Sequence, residues 1–128
     1  MASTLKINTL TGVTTAGSIA VTGEGNSTTT NLQQGLCKSW AHTTQASSYV
    51  LDDSFNVASI ADAGTGKTTI NINNDMANAN YAVGGCCTQE SVVIASVAAG
   101  SFEGRSIAND GSLTDSSDFT VSVHGDLA

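Results

Sequence analysis

The feature that most constrains the fold is an alternation of apolar and polar residues with a period of two, repeated in several short runs. Near the end of the chain, Phe119, Val121 and Val123 alternate with Thr120 and Ser122. Successive side chains of a β-strand point to opposite faces, so this alternation predicts a half-buried strand. No run of useful length has the 3.6-residue period of an amphipathic helix. The chain is therefore predicted to be all-β.

Short runs of this kind continue through residues 36–128, about seven in all, with turn residues between them. Their spacing is typical of two-sheet domains, and we predict an antiparallel β-sandwich, jelly-roll-like, over this range. The run at residues 90–102 is apolar enough to lie in the core of that domain. The single tryptophan, Trp40, is predicted to be buried in the same core. A platform on which a sugar ring stacks is the alternative for Trp40.

Residues 1–35 differ in composition and are predicted to form an extended N-terminal arm. Residues 3–10 alternate and predict one short strand, whereas residues 11–35 are rich in Gly, Thr and Ser with isolated apolar residues. Such a segment is either a flexible linker or an arm that becomes ordered by packing against other copies of itself. The ordered arm is favoured because its apolar residues are spaced like short strand anchors. The residues predicted to make oligomer or anchoring contacts are Leu5, Ile7, Ile19 and Val21.

Composition and charge argue against several classes of function. Thr, Ser and Asn together account for 43 of 128 residues, and only 12% of residues are charged, about half the usual fraction. The net charge is −7 and the four Lys and Arg residues are not clustered, so nucleic acid binding is not predicted. No segment approaches about 18 consecutive apolar residues, so membrane insertion is not predicted. Three cysteines form no even disulfide framework, and we expect free thiols, with a disulfide from Cys37 to Cys86 or Cys87 as the alternative.

One motif points to a different class of protein. Residues 61–68, ADAGTGKT, fit the loose Walker A pattern of a nucleotide-binding loop and end in Gly66, Lys67 and Thr68. A phosphate loop needs a helix after it, because the helix N-terminus and the loop N–H groups hold the phosphates. Residues 69–73 instead alternate as a strand does. The motif is therefore interpreted as a glycine-rich hairpin loop with an exposed lysine, and a nucleotide-binding enzyme is the alternative.

The strand expected before this loop is SFNVASI, residues 54–60. Its alternation places Phe55, Val57 and Ser59 on one face. Other candidate chemistry is sparse. His42 and His124 are the only histidines, and neither lies in a motif that pairs a histidine with a nucleophile and an acid. We predict no catalytic residue, no metal site and no cofactor.

Several motifs within residues 36–128 occur together. They are Lys38 and Trp40 in a Lys-x-Trp strand, Asp-Ser-Phe-Asn-Val at residues 53–57, Gly-Thr-Gly at residues 64–66, Ala-Asn-Tyr at residues 79–81 and the closing DSSDFTVSVHGD. Together they resemble a β-rich domain found in tail fibres and short structural proteins of tailed phages, especially marine phages. The closing segment is similar to the last strand of that family, and residues 1–10 loosely resemble the N-terminal strand of such fibres.

The resemblance implies a non-enzymatic virion protein, commonly a homotrimer, assembled in the host cytoplasm. The chain is too short for a long fibre shaft, so capsid decoration or a short head fibre is the first hypothesis. A receptor-binding domain of a tail fibre or tail tip is the second, with exposed aromatic residues near Trp40 or Tyr49 and a host-surface glycan as a further partner. The implied partners are other copies of the chain and capsid or tail proteins. Residues 1–35 would anchor or oligomerise, and residues 36–128 would be exposed on the virion.

Overall fold

In the computed structural model, which describes residues 4–13, 18–23, 25, 27–88 and 91–128, the alternating runs form strands that pair only in antiparallel fashion. The chain divides into two units, Met1–Leu36 and Cys37–Ala128. The elements are β1 (Ala20–Thr22), β2 (Thr29–Asn31), α1 (Leu32–Gly35), β3 (Ser39–Thr44), β4 (Val50–Phe55), β5 (Val57–Asp62), β6 (Lys67–Ile72), β7 (Ala82–Cys87), β8 (Ser91–Ala98), β9 (Ser101–Ile107) and β10 (Phe119–His124).

The second unit is built from two four-stranded sheets packed against each other, which confirms the predicted antiparallel β-sandwich. The first sheet has the strand order β4-β3-β10-β7 and the second has the order β5-β6-β9-β8. The alternation predicted for the last strand is correct, since Phe119, Val121 and Val123 are all buried. The core between the sheets consists of Ala41, Ile70, Ile72, Met76, Phe102, Phe119, Val121 and Val123.

One glycine allows the two sheets to approach each other. Gly104 on β9 lies directly against the ring of Phe119, which belongs to β10 in the opposite sheet. A Cβ atom added to Gly104 would lie 2.5 Å from Cζ of Phe119, well inside van der Waals separation. The missing side chain at Gly104 therefore provides the space that this buried ring fills.

The predicted strand at residues 54–60 is wrong because the chain turns at Asn56. Asn56 has a φ of +56°, a conformation that asparagine tolerates better than most residues. Its side chain holds the turn by accepting the Asn74 N–H at 2.7 Å and donating to the Lys38 carbonyl at 3.0 Å. Phe55 and Val57 consequently belong to different sheets and do not share a face.

The apolar run at residues 90–102 lies only partly in the core. Within this range, β8 is the edge strand of the second sheet and contains no fully buried residue among those described. Its side chains at Val92, Ile94 and Val97 pack against the core. Val93 points away from the core and is 44% exposed. An edge strand with one solvent-facing side does not need polar residues there to fold.

The first unit contains a two-stranded antiparallel hairpin of β1 and β2, followed by α1. The Asn31 side chain caps this single helical turn by accepting the Gln33 and Gln34 N–H groups. The strand predicted at residues 3–10 is wrong where the structure describes it, since residues 4–10 form none. Alternation does not suffice for a strand, because its N–H and C=O groups need a paired neighbour. Among the described residues, no helix has the length and apolar character to cross a bilayer.

Candidate functional site

The outer face of the first sheet carries two exposed aromatic side chains on neighbouring strands. Trp40 on β3 is directly opposite Phe55 on β4. Trp40 is 36% exposed and Phe55 is 55% exposed. The register continues from Trp40 to Ser122 on β10 and then to Gly84 on β7. We call this line across the sheet the aromatic row, and its members are Phe55, Trp40, Ser122 and Gly84.

The prediction that Trp40 is buried is therefore wrong. Strand β3 turns Ser39, Ala41 and Thr43 towards the core, and all three are buried. Trp40 and His42 alternate with them and lie on the outer face. The sequence did contain a signal for this, because burying Trp40 would also have placed His42, of the same parity, in the core.

A second line of side chains runs beside the aromatic row, and all of its members are polar. We call it the polar row, and it consists of Asp53, His42, Thr120 and Cys86 in register across the four strands. A β-bulge in β4 between the partners of His42 and Thr43 adds Asp52 to this side of the sheet, as bulges re-aim side chains. Two consecutive aspartates thus lie next to one histidine.

His42 lies between two carboxylates. Its Nδ1 is 3.4 Å from Oδ2 of Asp52, and its Nε2 is 3.4 Å from Oδ1 of Asp118. Hydrogen bonds donated by Thr88 and Ser117, followed by the neighbouring His42, lower the pKa of Asp118. Because both ring nitrogens of His42 face carboxylates, the arrangement fixes the ring and does not direct it at a hydroxyl nucleophile.

The far end of both rows forms an open depression of about 380 Å³. It is lined by Gly84, Gly85, Cys86, Thr120, Val121 and Ser122. The floor is shallow at Gly84, where an added Cβ would meet only the Ser122 hydroxyl, at 3.8 Å. Cys86 and Thr120 are joined on its rim, with the sulfur 2.9 Å from the threonine hydroxyl. Cys37, Cys86 and Cys87 are not joined in disulfides.

The Walker-like motif lacks the structure of a phosphate loop. The chain continues after the loop as β6, a strand, as the alternation predicted. The N–H of Gly66 is bound to Oδ1 of Asp115 at 2.6 Å, and the N–H of Gly64 to Oδ1 of Asp62 at 2.7 Å. Two backbone donors of the loop therefore already hold the protein's own carboxylates, whose charge repels phosphate.

The remaining residues of that motif also have structural roles. Thr68, which would bind magnesium in a phosphate loop, is buried and accepts a hydrogen bond from Gln45 Nε2 at 2.9 Å. Lys67 is half-buried, so the expectation of an exposed lysine is wrong. Tyr49 donates to Asp115 and to the Gly64 carbonyl and so fastens the loop. Among the described residues, no group of three or more His, Cys, Asp or Glu is placed to hold a metal ion.

The residues predicted to contact other subunits are all in the first unit. Leu5 is 79% exposed, and Ile7 and Val21 are each about half exposed. Ile19 is half-buried beside β1. In the part of this unit that the structure describes, no residue is fully buried.

Comparison of the chain with protein-family models, with curated proteins and with solved structures finds no match. Function is therefore argued from the two kinds of surface described above, the exposed apolar residues of the first unit and the outer face of the first sheet.

Proposed function

We propose that this chain is a non-enzymatic structural protein of a tailed-phage virion, displayed on the outside of the particle as a capsid decoration or short head fibre. In this proposal residues 1–35 anchor the protein or join its copies into a homotrimer. Residues 36–128 form the exposed domain. The resemblance of the sequence motifs to phage virion domains motivates the proposal, and the contrast between the two units supports it.

The observation that carries the proposal is the exposure of apolar side chains in the first unit. Val13 is 97% exposed and Leu5 is 79% exposed, while the second unit buries a core of its own. Removing a Leu, Ile or Val side chain from water is worth roughly 1.5–3 kcal/mol. A segment that leaves several such side chains in water gains stability when it packs against other chains. Other copies of the protein and capsid or tail proteins are the proposed partners.

The test is to remove this apolar surface and to measure the mass in solution. The variant combines Leu5→Asn, Ile7→Asn, Ile19→Asn and Val21→Asn. Light scattering on a size-exclusion column should give a trimer for the natural chain and a lower mass for this variant. The matched control is Val93→Asn, which alters an apolar residue of the second unit that is 44% exposed, close to the 50% of Ile7 and the 52% of Val21, and should leave the trimer intact. A trimer that survives all four substitutions would show that the first unit does not assemble the protein.

A receptor-binding domain of a tail fibre or tail tip is the second candidate function. The observation that favours it is the exposure of Trp40 and Phe55 side by side on one sheet face. Aromatic residues exposed in this way are costly to leave in water and are frequent at binding sites. This candidate concerns the second unit and does not depend on how the first unit assembles.

A further inference from the structure

We infer that the outer face of the first sheet is a binding site for a neutral glycan. The rings of Trp40 and Phe55 would stack on the apolar faces of sugar rings, and the polar row would bind their hydroxyl groups. This inference rests on the second candidate function, a receptor-binding domain, and specifies its ligand class and its binding residues. It is independent of trimer formation by the first unit.

The shape of the aromatic row suits an extended ligand. The row crosses four strands, and three strand spacings of about 4.8 Å give it a length of about 14 Å. It begins with two rings at Phe55 and Trp40 and descends to the small residues Ser122 and Gly84. A chain of sugar rings can therefore lie across the rings and end in the depression of about 380 Å³ at Gly84.

The chemistry of the adjacent polar row suits hydroxyl groups. A sugar hydroxyl both donates and accepts hydrogen bonds. The row supplies acceptors on Asp53, one oxygen of which already accepts the Ser54 N–H, and an acceptor on the Thr120 hydroxyl, whose own proton is donated to the Cys86 carbonyl. Ser122 adds a second hydroxyl within the aromatic row itself. Asp52 and Asp118 hold His42 in place from both sides. Small-molecule sites usually combine an apolar surface with a small number of polar groups, and this face has that composition.

Charge decides which glycans fit. Asp52, Asp53 and Asp118 lie on or beside this face, and the chain as a whole has a net charge of −7. Like charges at close range disfavour binding, so glycans with carboxylate, sulfate or phosphate groups are expected to be rejected. If a second copy of the chain bound through the same face, its aspartates would lie against Asp52, Asp53 and Asp118, and the two sets of carboxylates would repel each other. The face is therefore assigned to a neutral glycan and not to self-association.

The second sheet provides an internal control. Strand β8 exposes Val93 on the outer face of that sheet, and Val93 is 44% exposed, close to the 36% of Trp40. Its neighbour across the strands is Arg105, which is also the partner of Lys67. That position therefore has a comparable exposed apolar side chain but no aromatic ring and no acidic neighbour in its row.

The experiment uses the fact that Trp40 is the only tryptophan in the chain, so intrinsic tryptophan fluorescence reports from the site itself. The full-length protein is titrated with maltotriose, cellotriose and mannotriose, and with trigalacturonate as the anionic counterpart. We expect a saturable fluorescence change with at least one neutral trisaccharide and none with trigalacturonate. Phe55→Ala should weaken that binding at least about threefold, because a ring contact is lost. Val93→Ala should leave the affinity unchanged.

Trp40→Ala lacks the fluorophore, so its sugar binding is measured by calorimetry. This variant should bind the neutral trisaccharide at least about tenfold more weakly than the natural chain. Unchanged binding in Trp40→Ala would overturn the inference, as would equal binding of trigalacturonate. No saturable response to any neutral trisaccharide would overturn it as well. If light scattering gives a lower mass for Trp40→Ala than for the natural chain, a second copy of the chain covers this face and the inference is wrong. The fourfold variant of the first unit should keep its sugar affinity, so failure of assembly and failure of sugar binding are distinguishable.

Discussion

Replacing Gly104 by alanine should destabilise the sandwich through a single steric contact. The new Cβ would lie 2.5 Å from Cζ of Phe119 and 3.2 Å from its Cε1. Normal carbon contacts begin near 3.5 Å, so the ring or β9 must move by about 1 Å. Phe119 is fully buried, so its ring cannot move into solvent. Overpacking of this kind costs about 1–3 kcal/mol, against which a glycine-to-alanine change in a strand returns about 0.5–1 kcal/mol.

The matched control is Gly84→Ala, because Gly84 also lies in a strand but has open space around its missing side chain. This variant should be neutral or slightly more stable. Both variants gain about 0.5–1 kcal/mol from the glycine-to-alanine change, so the clash of about 1–3 kcal/mol should make Gly104→Ala unfold about 4–15 °C lower than Gly84→Ala in thermal melts followed by circular dichroism. The two variants share the same chemical change, so the difference between them measures the clash.

A double-mutant cycle identifies the clashing partner. Phe119→Leu alone should cost roughly 1–2 kcal/mol by leaving a cavity. In the Gly104→Ala background the same substitution should cost at least about 1 kcal/mol less, because the smaller side chain makes room for the new methyl group. Additive effects of the two substitutions, or equal stability of Gly104→Ala and Gly84→Ala, would refute the proposed packing of Phe119 against Gly104.

Two further predictions concern the Walker-like loop and its surroundings. Thr68→Val should lower the free energy of unfolding by about 1–3 kcal/mol, because it leaves the buried Gln45 amide without its acceptor. The neighbouring control Thr69→Val should change that free energy by less than about 0.5 kcal/mol in urea titrations. Equal effects of the two substitutions would contradict the structural role of Thr68. Burial, with the hydrogen bond to Asp115, raises the pKa of Tyr49, so the folded state holds the phenol proton more tightly than the unfolded chain does. This contribution is present below the ordinary tyrosine pKa of about 10 and is lost as the pH rises above it, so Tyr49→Phe should flatten the alkaline decline of stability, and an unchanged slope would be inconsistent with that pKa shift.

The sequence predicted correctly those strands whose inward side chains are large and apolar. In β10 and β6 the alternation of Phe, Val or Ile with Thr, Ser or Asn is enough to define both the strand and its buried face. It predicted the wrong face for β3, whose inward residues Ser39, Ala41 and Thr43 are small. Each of them lies directly opposite a larger buried residue of β10, namely Val123, Val121 and Phe119. The core is therefore filled from the neighbouring strand, and the residues of β3 do not show its inward face by their own size.

The division at Asn56 and the aromatic row were missed for a related reason. Asparagine in a run of strand-forming residues is compatible with a strand, and only its contacts with Lys38 and Asn74 select the positive φ. The pairing of Trp40 with Phe55 depends on the register of β3 against β4 and on the bulge at Asp52. Register is fixed by the packing of the whole sheet, so the candidate site could not be assembled from sequence spacing alone.

Part of the richness of the chain in hydroxyl and amide side chains is explained within the sandwich itself, which buries Ser39, Thr43, Gln45, Thr68, Ser106 and Ser116. Gln45 joins Thr68 to the Ser116 N–H in the interior. Thr43 donates to the Phe119 carbonyl. Among the described residues, no buried side-chain nitrogen or oxygen lacks a hydrogen-bond partner. Polar residues that are fully paired inside one chain cost little to bury and give no information about association.

Composition therefore does not distinguish a free domain from a virion component. The distinction depends on the surfaces that the fold leaves unpaired. In the described part of the first unit no residue is fully buried, and Leu5 and Val13 remain exposed, which supports the proposal that other chains cover them. On the first sheet, Trp40 and Phe55 remain in water beside aspartates, which favours a neutral, hydroxyl-bearing ligand over another copy of the chain. One protein can thus present an assembly surface and a ligand surface on separate units, and substitutions in one should leave the other intact.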